Sequence, residues 1–91
     1  MPDADLTLKI VTPESVFFEG KVRHVMAPGA LGYLGILKNH APFVTTIQKG
    51  NLIFEDLDRQ THKYGVEGGF LEVLDNQVLV LTDKIESEKV A

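Results

Sequence analysis

Residues 70–83 read FLEVLDNQVLVLTD. Two short runs rich in leucine and valine flank Asp75-Asn76, a pair that tolerates positive φ and bonds its own backbone. This is the signature of a tight hairpin. VLVL is continuously apolar, as expected of a strand covered on both sides or central in a core. Upstream, NLIFEDL (residues 51–57) and THKYGVEG (residues 61–68) form a second hairpin pattern across Asp58-Arg59-Gln60. At the start, LTLKIVT alternates Leu6, Leu8 and Ile10 with Thr7 and Lys9, as a strand with one wet face does. Thr12-Pro13-Glu14 breaks that run, because proline cannot donate to a central ladder. SVFFEG and KVRHVMA follow, joined at Gly20, with Arg23 between Val22 and His24. GYLGIL and FVTTIQ are shorter strand candidates on either side of KNHAP.

One run every 8–10 residues or so, with turn signals between, predicts an all-β sandwich or barrel. No stripe of 3.6-residue period exceeds two turns. Only DKIESEKVA at the end has helix-forming composition, and it stops before a stable helix could form. With no repeat, linker or low-complexity tract, residues 1–84 are expected to form one β domain. Residues 85–91 are expected to be a short polar tail, with no second domain.

The chain has 91 residues and a formal net charge of −4. That length supports one modest core. Charges of both signs are spread along it, and the absence of a basic stripe argues against nucleic-acid binding. There is no cysteine, which excludes disulfides and thiolate metal sites. MPDADLTLKI lacks the basic-then-apolar layout of a signal peptide, and nothing approaches the roughly 20 apolar residues of a membrane span. A soluble, cytosolic domain without direct membrane insertion is the expectation.

Reactive constellations are sparse. His24, His40 and His62 lie at no mutual ligand spacing, so no metal site is expected. Ser15 and Ser87, the only serines, sit outside any G-x-S-x-G elbow. Glu67 and Glu72 fall in strands, where solvent ordinarily claims carboxylates. No catalytic residue and no cofactor are assigned; a small hydrolase built on His40 and a nearby carboxylate is the weakest alternative.

Residues 27–43, APGALGYLGILKNHAPF, stand apart. Gly29, Gly32 and Gly35 recur every three residues, which matches neither G-x-G-x-x-G nor G-x-x-x-x-G-K-[ST], and no helix follows to hold an anion. The glycines are expected to shape turns and bulges, with Pro28 and Pro42 fixing φ at the ends. Gly35 in particular is expected to need positive φ. Ala30, Leu31, Tyr33 and Leu34 then offer apolar side chains on a stiff loop, which suits a protein interface or a plug at one end of the sandwich. A stand-alone ligand-binding module using the Gly29–Gly35 loop is the alternative reading.

The combination of TPE-x-x-x-FEG, APG-x-x-G-x-x-G-I-L, HAP, GGFLEV and V-x-V-L-x-D, in this order from about Leu6 to Asp83, resembles the N-terminal domain of the epsilon subunit of F-type ATP synthases. The resemblance implies a flattened β-sandwich of two five-stranded sheets. It implies a non-catalytic subunit of the central stalk, bound to the gamma subunit and the c-ring, that helps couple ion-driven rotation to ATP synthesis. Its place is then the cytoplasmic face of the inner (plasma) membrane, within a peripheral complex, or the equivalent in an organelle.

By position, Ala30, Leu31, Gly32, Tyr33 and Leu34 match the family segment that faces the c-ring, shaped by Pro28, Gly29 and Gly35. Lys38, Asn39, His40, Ala41 and Pro42 match a neighbouring segment expected at the same end. The family commonly carries an acid where Tyr33 stands. Tyr33 cannot form that ion pair, but it could hydrogen-bond or lie flat against a guanidinium. The family usually continues into two C-terminal helices that inhibit hydrolysis and in some members bind ATP. This sequence stops at Ala91, so neither property, and no nucleotide, is expected by that route.

Overall fold

In the computed structural model, which describes residues 5–87, seven strands and no helix are formed. They are β1 (Leu6–Val11), β2 (Val16–Gly29), β3 (Gly32–Ile36), β4 (Phe43–Thr46), β5 (Gly50–Asp56), β6 (Thr61–Leu74) and β7 (Gln77–Ser87). No helix among the described residues is long and apolar enough to cross a membrane.

The all-β sandwich stands, but its strands are fewer and longer than the sequence runs suggest. SVFFEG and KVRHVMA merge into the 14-residue β2, and THKYGVEG and FLEVL into the 14-residue β6. These long strands pass through both layers. β2 pairs with β1 over residues 16–22 and with β5 and β3 over residues 22–29. β6 pairs with β5 over residues 61–66 and with β4 over residues 70–73, while β7 follows it from residue 64 to 74. Followed along the pairings, one layer runs β3–β2–β5–β6–β7 and the other β4–β6–β7–β1–β2. β1 lies parallel to β7 and antiparallel to β2.

Each crossing needs the strand to turn its faces over, and a local device marks the place. In β2, Val22 and Val25 both point inward, three residues apart, because the register slips between Val22 and His24. Such a bulge adds one residue and reverses which parity faces the core. In β6, Val66 is buried before the turn-over and Leu71 and Val73 after it, with Gly68 and Gly69 at φ +77° and +117° between them. A Cβ on Gly69 would lie 1.8 Å from the Leu81 carbonyl oxygen, so only glycine fits. Opposite it, Thr82 is 3 % exposed, and its hydroxyl reaches the carbonyls of Gly68 (2.9 Å) and Lys84 (3.1 Å).

Between the layers lie Leu6, Leu8, Ile10, Val25, Ile36, Leu52, Phe54, Leu71, Val73, Val78 and Val80, all essentially inaccessible. The three alternating residues of β1 are among them, as the period of two predicts. Both hairpins form where the sequence places them: Asp75 and Asn76 take φ +48° and +62°, and Arg59 takes +64°. Positive φ at both central residues gives the turn that follows strand twist.

Two expectations need correction. Ile85, Glu86 and Ser87 do not belong to a tail; they pair with Val66, Gly65 and Tyr64, since a layer-crossing strand needs that length. Residues 88–91 lie outside the described residues. Nor is VLVL covered on both sides: Val78 and Val80 are buried, but Leu81 is 43 % exposed on the outer face.

Candidate docking surfaces

The β2–β3 hairpin is closed by Ala30 and Leu31, with Gly29 paired to Gly32. Gly32, at φ +120°, makes the turn, and Leu31 stands wholly in solvent at its tip. Gly29 has a different reason for being glycine: a Cβ there would meet Leu34 Cδ2 at 2.5 Å. Leu34 turns inward against the core. Three hydrogen bonds from other elements hold the hairpin. Ala30 N–H donates to Thr45 Oγ1 at 3.0 Å, Gln48 N–H donates to the Pro28 carbonyl at 2.8 Å, and Asn51 N–H donates to Tyr33 Oη at 2.8 Å. The last requires Tyr33 to reach across to the start of β5, where a Cβ on Gly50 would crowd both Pro28 and the phenol oxygen.

Gly35 does not shape the turn. It lies in β3 opposite Met26, without positive φ, and a Cβ there would meet nothing within 4 Å. The turn sits at Gly32 because the two-residue loop closes there, and the three-residue repeat of glycines carries no common geometry.

Lys38, Asn39, His40, Ala41 and Pro42 are not beside the tip. They follow the other end of β3, which at about 3.3 Å per residue puts its five residues, roughly 17 Å, between them. There, Asn39 takes φ +68° and its N–H donates to Asn76 Oδ1 at 2.6 Å, while Asn76 Nδ2 donates back to Asn39 Oδ1 at 3.3 Å. His40 N–H donates to the Leu37 carbonyl at 3.2 Å, and its Nδ1–H to the Ala41 carbonyl at 2.6 Å. Lys38 and Pro42 are exposed. This segment is therefore fastened to the β6–β7 turn, whose Asn76 carbonyl also accepts from Thr7 N–H at 2.9 Å.

The histidines are spread over the domain. His62 Nε2 lies 2.9 Å from Asp56 Oδ2, with its ring stacked on Phe54 at 4.8 Å. Asp56 Oδ1 accepts from Asp58 N–H (2.8 Å) and Gln60 N–H (3.0 Å). The His62 hydrogen bond, followed by the Gln60 N–H, holds the Asp56 carboxyl below its ordinary value. Together these contacts close the β5–β6 turn. On the outer face, Arg23 Nε pairs with Glu55 Oε1 at 2.9 Å, and His24 is 3.9 Å from the other Glu55 oxygen. Among the described residues, no three His, Asp or Glu side chains converge as metal ligands.

A surface that the sequence reading missed lies on the outside of the β4–β6–β7–β1 layer. Thr46, Phe70, Leu81 and Val11 stand in one row across four strands, with Phe70 55 % exposed. Beside them, Pro13, Gly69 and Ile47 help line an open groove of about 550 Å³. Exposed Val44 and Val16 extend the apolar surface at either side. The signal was in the sequence. A strand with one wet face should alternate, and VLVL has leucine at both outward positions.

Residues 5–88 match the family described as "ATP synthase, Delta/Epsilon chain, beta-sandwich domain". The chain belongs to that family. Among curated ATP synthase epsilon chains, that of Moorella thermoacetica is 42% identical over 83 residues, covering 91% of this chain and 62% of the relative. That of Anaeromyxobacter sp. (strain K) is 46% identical over 82 residues, covering 90% and 61%. The Chlorobaculum tepidum epsilon chain is 37% identical over 83 residues, covering 91% of this chain and 94% of its own length. The chain thus spans about three-fifths of the first two relatives and nearly all of the third. Two solved structures share the fold. The Euglena gracilis mitochondrial ATP synthase (OSCP/F1/c-ring) has a chain that superposes with TM-score 0.86 at 22% identity, covering 92% of this chain and 54% of that one. The central stalk/c-ring of the Tetrahymena thermophila enzyme gives 0.78 at 13%, covering 96% and 69%. At those identities the likeness to this beta-sandwich domain is one of architecture.

Proposed function

We propose that the chain is a non-catalytic rotor subunit of an F-type ATP synthase, bound to the gamma subunit and the c-ring, helping to couple ion-driven rotation to ATP synthesis. The observation that carries this reading is the family match together with two separate surfaces that suit docking. The c-ring contact is the β2–β3 tip, with Ala30, Leu31, Gly32 and Tyr33, while Leu34 braces it from the core side. Lys38, Asn39, His40 and Pro42 lie at the far end of β3 and are not assigned to this tip. The gamma contact is the apolar row of Phe70, Leu81 and Val11 with its groove. An attachment that carries torque has to bury more than about 1,000 Å² to persist, and an unpaired apolar sheet face supplies such area with little ordering cost. Strands continuous through both layers suit a stalk element, because a load on one layer is carried by covalent chain into the other. The site of action is the cytoplasmic face of the membrane, or the equivalent organellar face, with no insertion into the bilayer.

Leu81→Asp tests the assignment of gamma. Leu81 is half-exposed, so the fold is expected to survive, whereas a carboxylate buried without a partner in an apolar interface costs about 3–5 kcal/mol. Pull-down of the cognate gamma subunit is expected to fall more than 100-fold while the circular dichroism spectrum is unchanged. Undiminished capture of gamma would refute the assignment, and failure of the folded wild-type chain to capture gamma would refute the function.

A further inference from the structure

Tyr33 is 53 % exposed at the proposed c-ring contact, yet its hydroxyl is already engaged within the chain. Asn51 N–H donates to Oη at 2.8 Å, and the bare backbone of Gly50 lies against the same oxygen, where a Cβ would approach to 2.6 Å. A phenol has one proton to give and prefers to hold it in the ring plane, with a lone pair on the opposite in-plane side. The amide of Asn51 occupies that lone pair. What the hydroxyl still offers outward is its proton, made a better donor by the bond it accepts.

We propose that Tyr33 donates a hydrogen bond to an uncharged carbonyl oxygen, backbone or side-chain amide, on the c-ring loop against which the β2–β3 turn docks. This rests on the docking reading given above. A guanidinium or ammonium on that loop has no acceptor for the proton. A carboxylate would have to shed its water beside Pro28, which lies next to the phenol oxygen, and the exposed Leu31, and against a chain of net charge −4, which disfavours it. A neutral carbonyl meets neither objection. Tyr33 then does two things at once. Its oxygen fixes the angle of the hairpin against β5, and its proton reads the partner. An acid at this position could not do both, since a carboxylate has no proton to give at neutral pH.

The test is equilibrium binding of the full chain to detergent-solubilised c-ring from the cognate enzyme, with thermal melts of each variant. Leu31→Asp reports on the docking reading itself and is expected to abolish binding without altering the melt. Tyr33→Phe removes the hydroxyl, and with it both the outward donor and the acceptor for Asn51 N–H, and is expected to weaken binding by at least about 3- to 10-fold, the worth of the one neutral hydrogen bond to the partner. Replacement of Tyr33 by 3,5-difluorotyrosine keeps the shape and makes the phenol more acidic. Binding should be as tight as wild type or tighter while the phenol is protonated, and should fall as pH rises through its lowered pKa. If Leu31→Asp abolishes binding but Tyr33→Phe does not weaken it, the donor assignment is wrong and the docking reading survives. Binding of the fluorinated chain that does not change across its phenol pKa also overturns the assignment. If Leu31→Asp binds like wild type, the docking reading fails and this inference with it.

Discussion

Two glycine-to-alanine substitutions, one at each layer's most informative glycine, should have opposite effects. At Gly69 the backbone sits at φ +117°, outside even the left-handed well, and an alanine Cβ would lie 1.8 Å from the Leu81 oxygen and 2.8 Å from Leu81 C and Thr82 Cα. Holding an L-residue in such a conformation costs about 1–3 kcal/mol. Relieving the overlap means moving β7 away from β6 by well over an ångström. That movement threatens the Ile47 N–H bond to the Gly69 carbonyl (2.9 Å) and the Thr82 hydroxyl bond to the Gly68 carbonyl (2.9 Å), at about 1 kcal/mol each. The total is about 3–5 kcal/mol, against a stability on the order of 5–10 kcal/mol for a chain of this size. Such a loss corresponds to about 15–30 °C in melting temperature. At Gly35, by contrast, φ is not positive and nothing lies within 4 Å. Alanine there should stabilise by about 0.4–1 kcal/mol, by restricting the unfolded chain. Thermal and urea melts followed by far-ultraviolet circular dichroism compare the two directly. A Gly69→Ala chain melting within a few degrees of wild type would falsify the account of the β6 turn-over. A Gly35→Ala chain as unstable as Gly69→Ala would return Gly35 to the turn-forming role.

Asp56→Asn should lower the melting temperature at pH 7, because the carboxylate is held ionised by His62, Gln60 and Asp58. Since the folded carboxyl titrates below its ordinary 3.8, its contribution is present above that value and is lost as pH falls through the folded one. The gap between wild type and Asp56→Asn should therefore close below about pH 4, and a gap independent of pH would contradict this. Asn39→Ala removes the bond that Asn39 Oδ1 accepts from Asn76 Nδ2 while keeping the backbone N–H that donates to Asn76 Oδ1, and puts a Cβ-bearing residue without a side-chain hydrogen bond at positive φ. It should cost about 1–2 kcal/mol, read as a lower urea midpoint at unchanged slope, whereas Asn39→Gly should cost less.

Much of the fold was legible because it rests on local chemistry. The alternation of Leu6, Leu8 and Ile10 and the turn chemistry of Asp75-Asn76 depend on neighbours in sequence, and both stand in the structure. The even spacing of strand runs gave the all-β class but not the strand count. Whether VEG and GFLEV are two strands or one depends on how Gly68 and Gly69 turn the chain between layers, and that is set by the opposing strand. The candidate site divides in the same way. The sequence singled out the β2–β3 loop and its exposed Leu31, but did not place Lys38–Pro42 at the other end of β3, because GYLGIL reads both as a short strand and as part of the docking loop, and only the pairing of β3 with β2 separates the two ends.

The sequence by itself determined the class of fold, the family and the absence of any local catalytic motif, since these follow from periodicity, order of motifs and residue type. Tertiary structure alone decided which glycine bends which strand, that Leu81 faces outward beside Phe70 and Val11, and that the Tyr33 oxygen accepts from Asn51 and leaves only the phenol proton to offer. Each of these depends on a partner brought near by strand pairing: Leu81 lies opposite Phe70, and Asn51 is 18 residues from Tyr33. A chain fixes its local conformation from adjacent residues, but which of its groups remain free for a partner is settled only when distant strands have taken theirs.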